Sequence, residues 1–284
     1  MRSLPEPVPP ARRGARGARR RPSWAALCAL LCALAGAAAA APVDVTIYAD
    51  DHYPPYSYLD NGRLTGIYTL IVQRALERLP GYRVQLLPVP WKRGVLMLEK
   101  GQAFALYPPY FRPAERPFMK YSEAMLTEQL VVFCNAGLAR MRALKVWPDD
   151  YSGLRIGMNA GFLAGGREFD AAVKAGRLSV DAVHGSRANL LKLLRGRIDC
   201  YVNDRLSILW ELEHIKKEGL MAASYLPLVE TVELGAEQGF LGYTELSPEH
   251  FPFRADFVQK FNAVLREMKR SGEIKEMVTR FLLQ

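Results

Sequence analysis

The sequence has few of the residues that bind metals or form disulfides. Its 284 residues include four cysteines and four histidines, and the histidines are scattered along the chain. Two cysteines, Cys28 and Cys32, lie in an N-terminal apolar stretch, which leaves Cys134 and Cys200 for the rest of the chain. This composition excludes a disulfide-dense miniprotein, and we expect no metal site and no cofactor.

The sequence also lacks an apolar run long enough to cross a membrane. The run at residues 24–35 has twelve residues, whereas a spanning helix needs about 20. It follows an arginine-rich segment and precedes small residues at 36–41, an order typical of a secretory signal peptide. Residues 1–40 are therefore predicted to be removed after Ala40, which places the remaining chain in the periplasm. An uncleaved signal anchor is the alternative.

Excess positive charge is confined to the N-terminus. The whole chain carries a net charge of +9, of which +6 lies in residues 1–40 and +3 in the other 244 residues. The body of the protein is thus nearly balanced, and a nucleic-acid partner is not indicated. Half of the residues are hydrophobic and a tenth are aromatic, as in folded globular proteins.

After residue 41 the pattern alternates between apolar strands and amphipathic helices. For example, Leu70, Ile71, Ala75 and Leu79 fall at helical spacing and predict a helix that stops at Pro80. The rhythm of strand and helix occurs twice, with connecting strands between the two occurrences, which predicts an α/β fold with two lobes, mainly parallel sheets and a ligand cleft between them. The predicted strands are 43–48, 82–89, 103–107, 128–135, 154–158, 178–183, 198–202 and 240–243, and the predicted helices are 67–79, 91–100, 165–175, 186–195, 205–219, 254–270 and 273–282.

Seven short motifs, in order, make the chain resemble the family 3 periplasmic solute-binding proteins. They are Tyr53-Pro54-Pro55-Tyr56, Asn61-Gly62-Arg63-Leu64-Thr65-Gly66, Pro90-Trp91-Lys92-Arg93, Glu115-Arg116 with Tyr121-Ser122, Gly153-Leu154-Arg155-Ile156-Gly157, Gly196-Arg197-Ile198-Asp199 with Asp204, and Met268-Lys269-Arg270-Ser271-Gly272-Glu273.

The resemblance implies a fold and a function. The fold is the two-lobed, type II periplasmic-binding-protein-like α/β fold, with residues 41–130 plus 239–284 in one lobe and 131–238 in the other. The function is that of a monomeric binding protein, without catalytic residues, that captures a small polar or amino-acid-like ligand for an ABC importer.

Ligand recognition in the family usually pairs an arginine with the ligand carboxylate and an acid with its ammonium group. The arginine maps to Arg116, with Arg112 as a rival, and the acid maps to Asp204. An arginine fork suits a carboxylate, and a desolvated carboxylate suits an ammonium group. Both residues are expected outside the core. The alternative interpretation of Arg116 is a solvated surface group, and that of Asp204 is a residue that only caps the following helix.

Departures from the family pattern predict a more aromatic cleft. Gly66 is not followed by an acid, and Phe162 follows Gly161 where a hydroxyl residue is usual. The candidate aromatic contacts with the ligand are Tyr56, Trp91, Tyr107 and Phe162, which suit an aromatic or cationic compound. Core packing is the competing interpretation for each of them.

Two other functions stay open at this point. The fold also hosts a cyclohexadienyl dehydratase, so the second hypothesis is a periplasmic enzyme with His52 or Asp204 as the general acid. A detached sensory ligand-binding module is the third hypothesis. The family topology also places Cys134 beside Cys200, so a disulfide between them is predicted, with two buried thiols as the alternative.

Overall fold

The computed structural model describes residues 41–283, and Pro42–Gln284 form one compact unit. The predicted signal peptide lies outside the described residues. Within them, no helix has both the length and the apolar character needed to cross a bilayer.

The first sheet has five strands in the order β5-β1-β6-β13-β7. Strand β1 pairs in parallel with β5 and β6, whereas β13 pairs antiparallel with both β6 and β7. We call the part of the chain built on this sheet lobe one. Its strands are β1 (Val43–Asp50), β5 (Tyr82–Val89), β6 (Ala105–Tyr107), β7 (Met119–Tyr121) and β13 (Gly242–Thr244).

Lobe two is built on a second sheet with the order β10-β9-β11-β8-β12. Strand β9 pairs in parallel with β10 and β11, and the long strands β8 and β12 run antiparallel to each other. The strands are β8 (Leu126–Asn135), β9 (Arg155–Asn159), β10 (Ser179–Val183), β11 (Cys200–Asp204) and β12 (Leu228–Gly239). The expected two-lobed α/β fold is confirmed, with the parallel pairs around β1 in one sheet and around β9 in the other.

A small antiparallel sheet covers the cleft side of lobe one. Its strands are β2 (His52–Tyr53), β3 (Ser57–Asp60) and β4 (Arg63–Thr65). The residues 54–56 between β2 and β3 form the turn that joins these two short strands, neither of which is among the predicted strands. This sheet holds the side chains of Tyr53 and Tyr56, the aromatic residues of the first motif, in buried positions.

Helices cover both faces of each sheet. In lobe one, α1 (Ile67–Leu76), α7 (Arg254–Arg270) and α8 (Glu273–Leu282) contribute to one core, and α2 (Trp91–Glu99) contributes to another. In lobe two, α4 (Arg167–Lys174) contributes to one core, while α5 (Ser186–Leu194) and α6 (Arg205–Lys217) contribute to a second. A short helix, α3 (Ala136–Met141), follows β8. In α1 the apolar residues Ile67, Ile71 and Ala75, which lie on one face at helical spacing, are buried.

A disulfide ties the hinge strand β8 to β11. Cys134 and Cys200 lie directly opposite each other in the antiparallel pair, both are fully buried, and their sulfurs are bonded. Their Cα atoms are 4.0 Å apart, slightly below the range of about 4.4–6.8 Å usual for disulfides. The two cysteines are 66 positions apart in the sequence, and the segment between them contains α3, β9, α4, β10 and α5.

Candidate functional site

The candidate site is a small cavity between the two lobes. Its volume is about 20 Å³, roughly the space that one water molecule needs. A wider depression of about 860 Å³ lies beside the hinge strands, but it is open and shallow. The cavity is the better candidate because three buried motif residues, Tyr53, Trp91 and Arg116, line it. Its walls are Tyr53, Trp91, Pro108, Tyr110, Arg112 and Arg116 from lobe one and Phe162 and Leu163 from lobe two.

The turn after β9 closes the cavity from the side of lobe two. Gly161 has φ +83°, a left-handed conformation that favours glycine. A Cβ at this position would lie 3.3 Å from the indole of Trp91. The ring of Phe162 stands edge-on to Tyr53 at 5.1 Å and to Trp91 at 5.8 Å. The turn therefore fills the cleft with an aromatic side chain, and a larger ligand requires it to move.

Arg116 is a buried cation without an acidic partner among residues 41–283. Its side chain is 6% exposed. One guanidinium nitrogen donates to the carbonyl oxygen of Gly161 at 3.0 Å, and the guanidinium carbon lies 5.3 Å from the ring centre of Trp91. Burial lowers the pKa of Arg116 to about 10, because desolvation disfavours the charged form. Arg116 is thus suited to bind an anion.

Arg112, the rival arginine, already has a carboxylate partner. Its guanidinium donates to Glu237 at 2.6 Å and to the carbonyl oxygen of Leu163 at 3.1 Å. It also lies over the ring of Tyr110, with 5.8 Å to the ring centre. These contacts hold the loop after β6 against lobe two, so Arg112 acts here as a link between the lobes.

Glu128 lies behind the wall of the cavity, and the sequence analysis did not single it out. It is 1% exposed and accepts hydrogen bonds from the hydroxyls of Tyr53, Tyr68 and Tyr110, the last at 2.7 Å. Burial, and then the nearby Asp204, raise the pKa of Glu128 to about 8. Its signal in the sequence is an acid at the start of the apolar strand β8.

Asp204 ends β11 and caps helix α6. One carboxylate oxygen accepts from the backbone N–H of Ser207 at 2.8 Å and from the Tyr56 hydroxyl at 2.9 Å, and the other accepts from the backbone N–H of Gln129 at 2.9 Å. Asp204 is 1% exposed, and burial raises its pKa. The capping role is therefore present, together with a contact across the lobes to Tyr56.

The structure brings most of the predicted site residues together. Trp91, Arg112, Arg116 and Phe162 line the cavity, and Tyr56 and Asp204 bond to each other beside it. Tyr107 lies elsewhere: it is fully buried in the core of lobe one, and its hydroxyl donates to Thr69 at 3.2 Å. The expectation that Arg116 and Asp204 lie outside the core is wrong, because the closed lobes bury both.

His52, named as a possible general acid, lies outside the cavity. Its ring stacks on that of His184 across the lobes with 4.9 Å between ring centres, and His184 bonds to Asp51 at 3.0 Å. Burial, and then the charge of His184, lower the pKa of His52. Over the described part of the chain, no group of three histidine, cysteine or acidic side chains is arranged to hold a metal ion.

Comparison with known proteins identifies the family. The model of the bacterial extracellular solute-binding proteins, family 3, matches residues 45–284. No curated protein matches the chain.

Several solved structures have a similar fold. A histidine kinase sensor domain with similarity to periplasmic binding proteins is 16% identical with a TM-score of 0.68, covering 85% of this chain and 96% of its own. The arginine-, lysine-, histidine-binding protein ArtJ of Geobacillus stearothermophilus is 15% identical with a TM-score of 0.64, covering 85% and 96%. The ancestral amino acid-binding protein AncCDT-1, a precursor of cyclohexadienyl dehydratase, is 16% identical with a TM-score of 0.64, covering 84% and 94%. At these identities the likeness concerns the fold.

Proposed function

We propose that this chain, which belongs to the bacterial extracellular solute-binding proteins of family 3, binds a small amino-acid-like ligand between its lobes in the periplasm. It acts as a monomer and delivers the ligand to an ABC importer. Proteins of this family are typically extracytoplasmic, and the predicted signal peptide agrees with export. Amino-acid binders are among the proteins with a similar fold.

Arg116 is the observation that carries the proposal. A guanidinium that is buried without a carboxylate is costly, since water no longer solvates its charge. A carboxylate on a ligand offsets that cost with two parallel hydrogen bonds. In the closed form described here, the carbonyl oxygen of Gly161 accepts from Arg116. We propose that the ligand carboxylate takes this place.

The ammonium group of the ligand has Asp204 as its acceptor in this proposal. One of the two carboxylate oxygens of Asp204 has a single donor, the backbone N–H of Gln129, so a lone pair remains for a ligand N–H. Because the present cavity has a volume of about 20 Å³, an amino acid enters only when the lobes separate and Phe162 withdraws. A ligand that contacts both lobes then favours the closed form over the open one.

The test is a screen of the standard L-amino acids by thermal shift, followed by calorimetry with the compound that stabilises most. We expect Arg116→Met and Asp204→Asn each to weaken binding by at least ~30-fold, as for the loss of one partner from a buried charge pair. Arg116→Met keeps the side-chain volume and Asp204→Asn keeps a residue that can cap the helix. The matched control is Arg266→Met, since Arg266 is half-exposed and pairs with Glu123 on the outside of lobe one.

The zwitterion-binding proposal is wrong if both variants bind the ligand like the wild type. Export has a separate test, intact-mass analysis of the periplasmic fraction. The species found there should begin near Ala41, whereas full-length protein retained with membranes would contradict removal of the signal peptide.

A second candidate function is an enzyme on the same fold, and Glu128 is the observation that favours it. Burial raises the pKa of Glu128 to about 8, which favours the protonated form of a general acid at neutral pH, and its hydrogen bonds with Tyr53 and Tyr110 connect it to the wall of the cavity. The two candidates differ in the fate of the ligand. A binding protein returns the bound compound unchanged after mild denaturation, whereas an enzyme releases a product of different mass.

A further inference from the structure

We propose that acid opens the cleft through His52, so that contacts at this residue favour the closed lobes at neutral pH and oppose them in mild acid. His52 is the sensor, and His184 and Arg187 of lobe two are the basic side chains that it meets on closing. The movement of the lobes needs no ligand. Its consequence, a lower affinity for the ligand in acid, rests on the proposed function.

The interface between the lobes brings two imidazole rings together. His52 lies in β2 of lobe one, and His184 lies in lobe two just before α5. Their rings stack with 4.9 Å between ring centres and 20° between ring planes. Gly185 makes this approach possible, because a Cβ at that position would overlap the ring of His52. Separation of the lobes therefore separates the two rings.

The charged groups around His52 are divided between the lobes. Burial is the largest cause that lowers the pKa of His52 in the closed form, and two basic side chains of lobe two, His184 and Arg187, also lower it. Asp51 of lobe one raises it, but in the closed form Asp51 is bonded to His184 at 3.0 Å. Opening of the lobes removes both basic groups and leaves the acid beside His52.

The sign of the pH dependence follows from this division. The ordinary pKa of histidine is 6.5, and that of His52 is lower in the closed form than after the lobes separate. A group with a lower pKa in one form binds its proton more weakly there, so acid favours the other form. His52 thus favours closure above pH 6.5 and loses this effect as the pH falls below that value.

Other titratable groups between the lobes act in the opposite direction. A proton on His184 strengthens its bond to Asp51, but His184 is half-exposed, and such pairs contribute little. Burial in the closed form raises the pKa of Glu128 and of Asp204, so their protonation favours closure. Opening of the wild type in acid would therefore already indicate a basic sensor.

The remaining polar contacts of this region lie within one lobe, so opening leaves them intact. They are the bond of 3.0 Å from the backbone N–H of His52 to Asp50, the ion pairs of Arg187 with Glu211 and Glu218, and the stacking of His214 on Trp210. A comparison between the wild type and variants of His52 alone cancels the contributions of all these groups, because both proteins contain them.

The experiment measures the shape of the ligand-free protein by small-angle scattering between pH 8 and pH 5. It compares the wild type with His52→Gln and His52→Phe. Neither replacement titrates, and phenylalanine keeps a flat ring against that of His184. At pH 8 the wild type and His52→Phe should have the same radius of gyration. Below pH 6.5 the radius of the wild type should exceed that of both variants, by an amount that grows as the pH falls.

The matched control is His250→Gln, since His250 is exposed in lobe one beside Glu249. It should follow the wild type at every pH. If the wild type and the folded variants of His52 show the same pH profile, His52 is not the sensor and the inference is wrong. If His52→Gln alone fails to fold, His52→Phe decides, and the reverse.

Calorimetry separates this inference from the function on which its consequence rests. The probe is the standard L-amino acid that gives the largest thermal shift. The wild type should bind it more weakly at pH 5 than at pH 7.5, and His52→Gln should lose less affinity. If the wild type and His52→Gln lose affinity equally while Arg116→Met abolishes binding, the function stands and the inference is wrong. If no amino acid binds, the proposed function fails, and scattering of the ligand-free protein still decides the inference.

Discussion

Replacing Glu128 with glutamine is expected to change how the stability of the ligand-free protein depends on pH. Burial raises the pKa of Glu128 from its ordinary value of 4.5 to about 8. Because the pKa is higher in the folded state, the protein is most stable with Glu128 protonated. That contribution is complete below pH 4.5 and is lost as the pH rises through 8.

The size of this effect on stability follows from the difference of about 3.5 between the pKa of Glu128 in the folded protein and its ordinary pKa, since a pKa difference of one corresponds to about 1.4 kcal/mol. The free energy of unfolding of the wild type therefore falls by at most about 5 kcal/mol between low pH and pH values above 8. About 3 kcal/mol of this is already lost at pH 7. Glutamine has the shape of the protonated acid and carries no charge. Glu128→Gln should therefore match the wild type near pH 4 and exceed it increasingly between pH 5 and pH 8.

Urea unfolding followed by tryptophan fluorescence at several pH values measures this difference. Asp50 is a second buried acid, and burial raises its pKa to about 8 as well, but it is present in both proteins, so its contribution cancels. The reasoning is refuted if the difference between the two proteins does not grow with pH. A wild type that is more stable than the variant at pH 8 would mean that the three tyrosine hydroxyls stabilise an ionised Glu128.

Two further predictions concern the hinge and the turn that fills the cleft. Replacing Cys134 and Cys200 by serine should lower the free energy of unfolding by roughly 2–4 kcal/mol. Added reductant should then have no further effect on the stability of this variant, and equal stability of the variant and the wild type would show that the disulfide contributes nothing. Phe162→Ala removes the edge contacts with Tyr53 and Trp91, so small-angle scattering of the ligand-free protein should shift toward a more open form, and an unchanged curve would show that these contacts do not hold the lobes together.

Most of the regular structure could be predicted from the sequence because the hydrophobic period is clear. Helices α7 and α8 have the predicted bounds, and strands β1, β5 and β9 begin and end within two residues of their own predicted bounds. Strand β12 was missed. Its pairing with β8 has two irregularities, between Glu230 and Val232 and between Glu233 and Gly235. They interrupt the regular alternation of apolar and polar residues by which a strand is predicted. Glu230 and Glu233 form ion pairs with Arg205. The strand therefore has acidic residues at positions where the usual strand pattern has apolar ones.

By itself, the sequence determined the family, the two α/β lobes and the segments that meet at the cleft, because motif order and hydrophobic period are local properties of the chain. Only the tertiary structure decided how the charges pair. The sequence favours Arg116 over its rival Arg112, but only the structure shows that Glu237, 125 residues from Arg112, neutralises Arg112, while Arg116 has no acidic partner among residues 41–283. Likewise Glu128 becomes a buried acid only because Tyr53 and Tyr68, 75 and 60 residues away, fold over it. Burial and ion pairing depend on distances in space, and these are set when the lobes pack together.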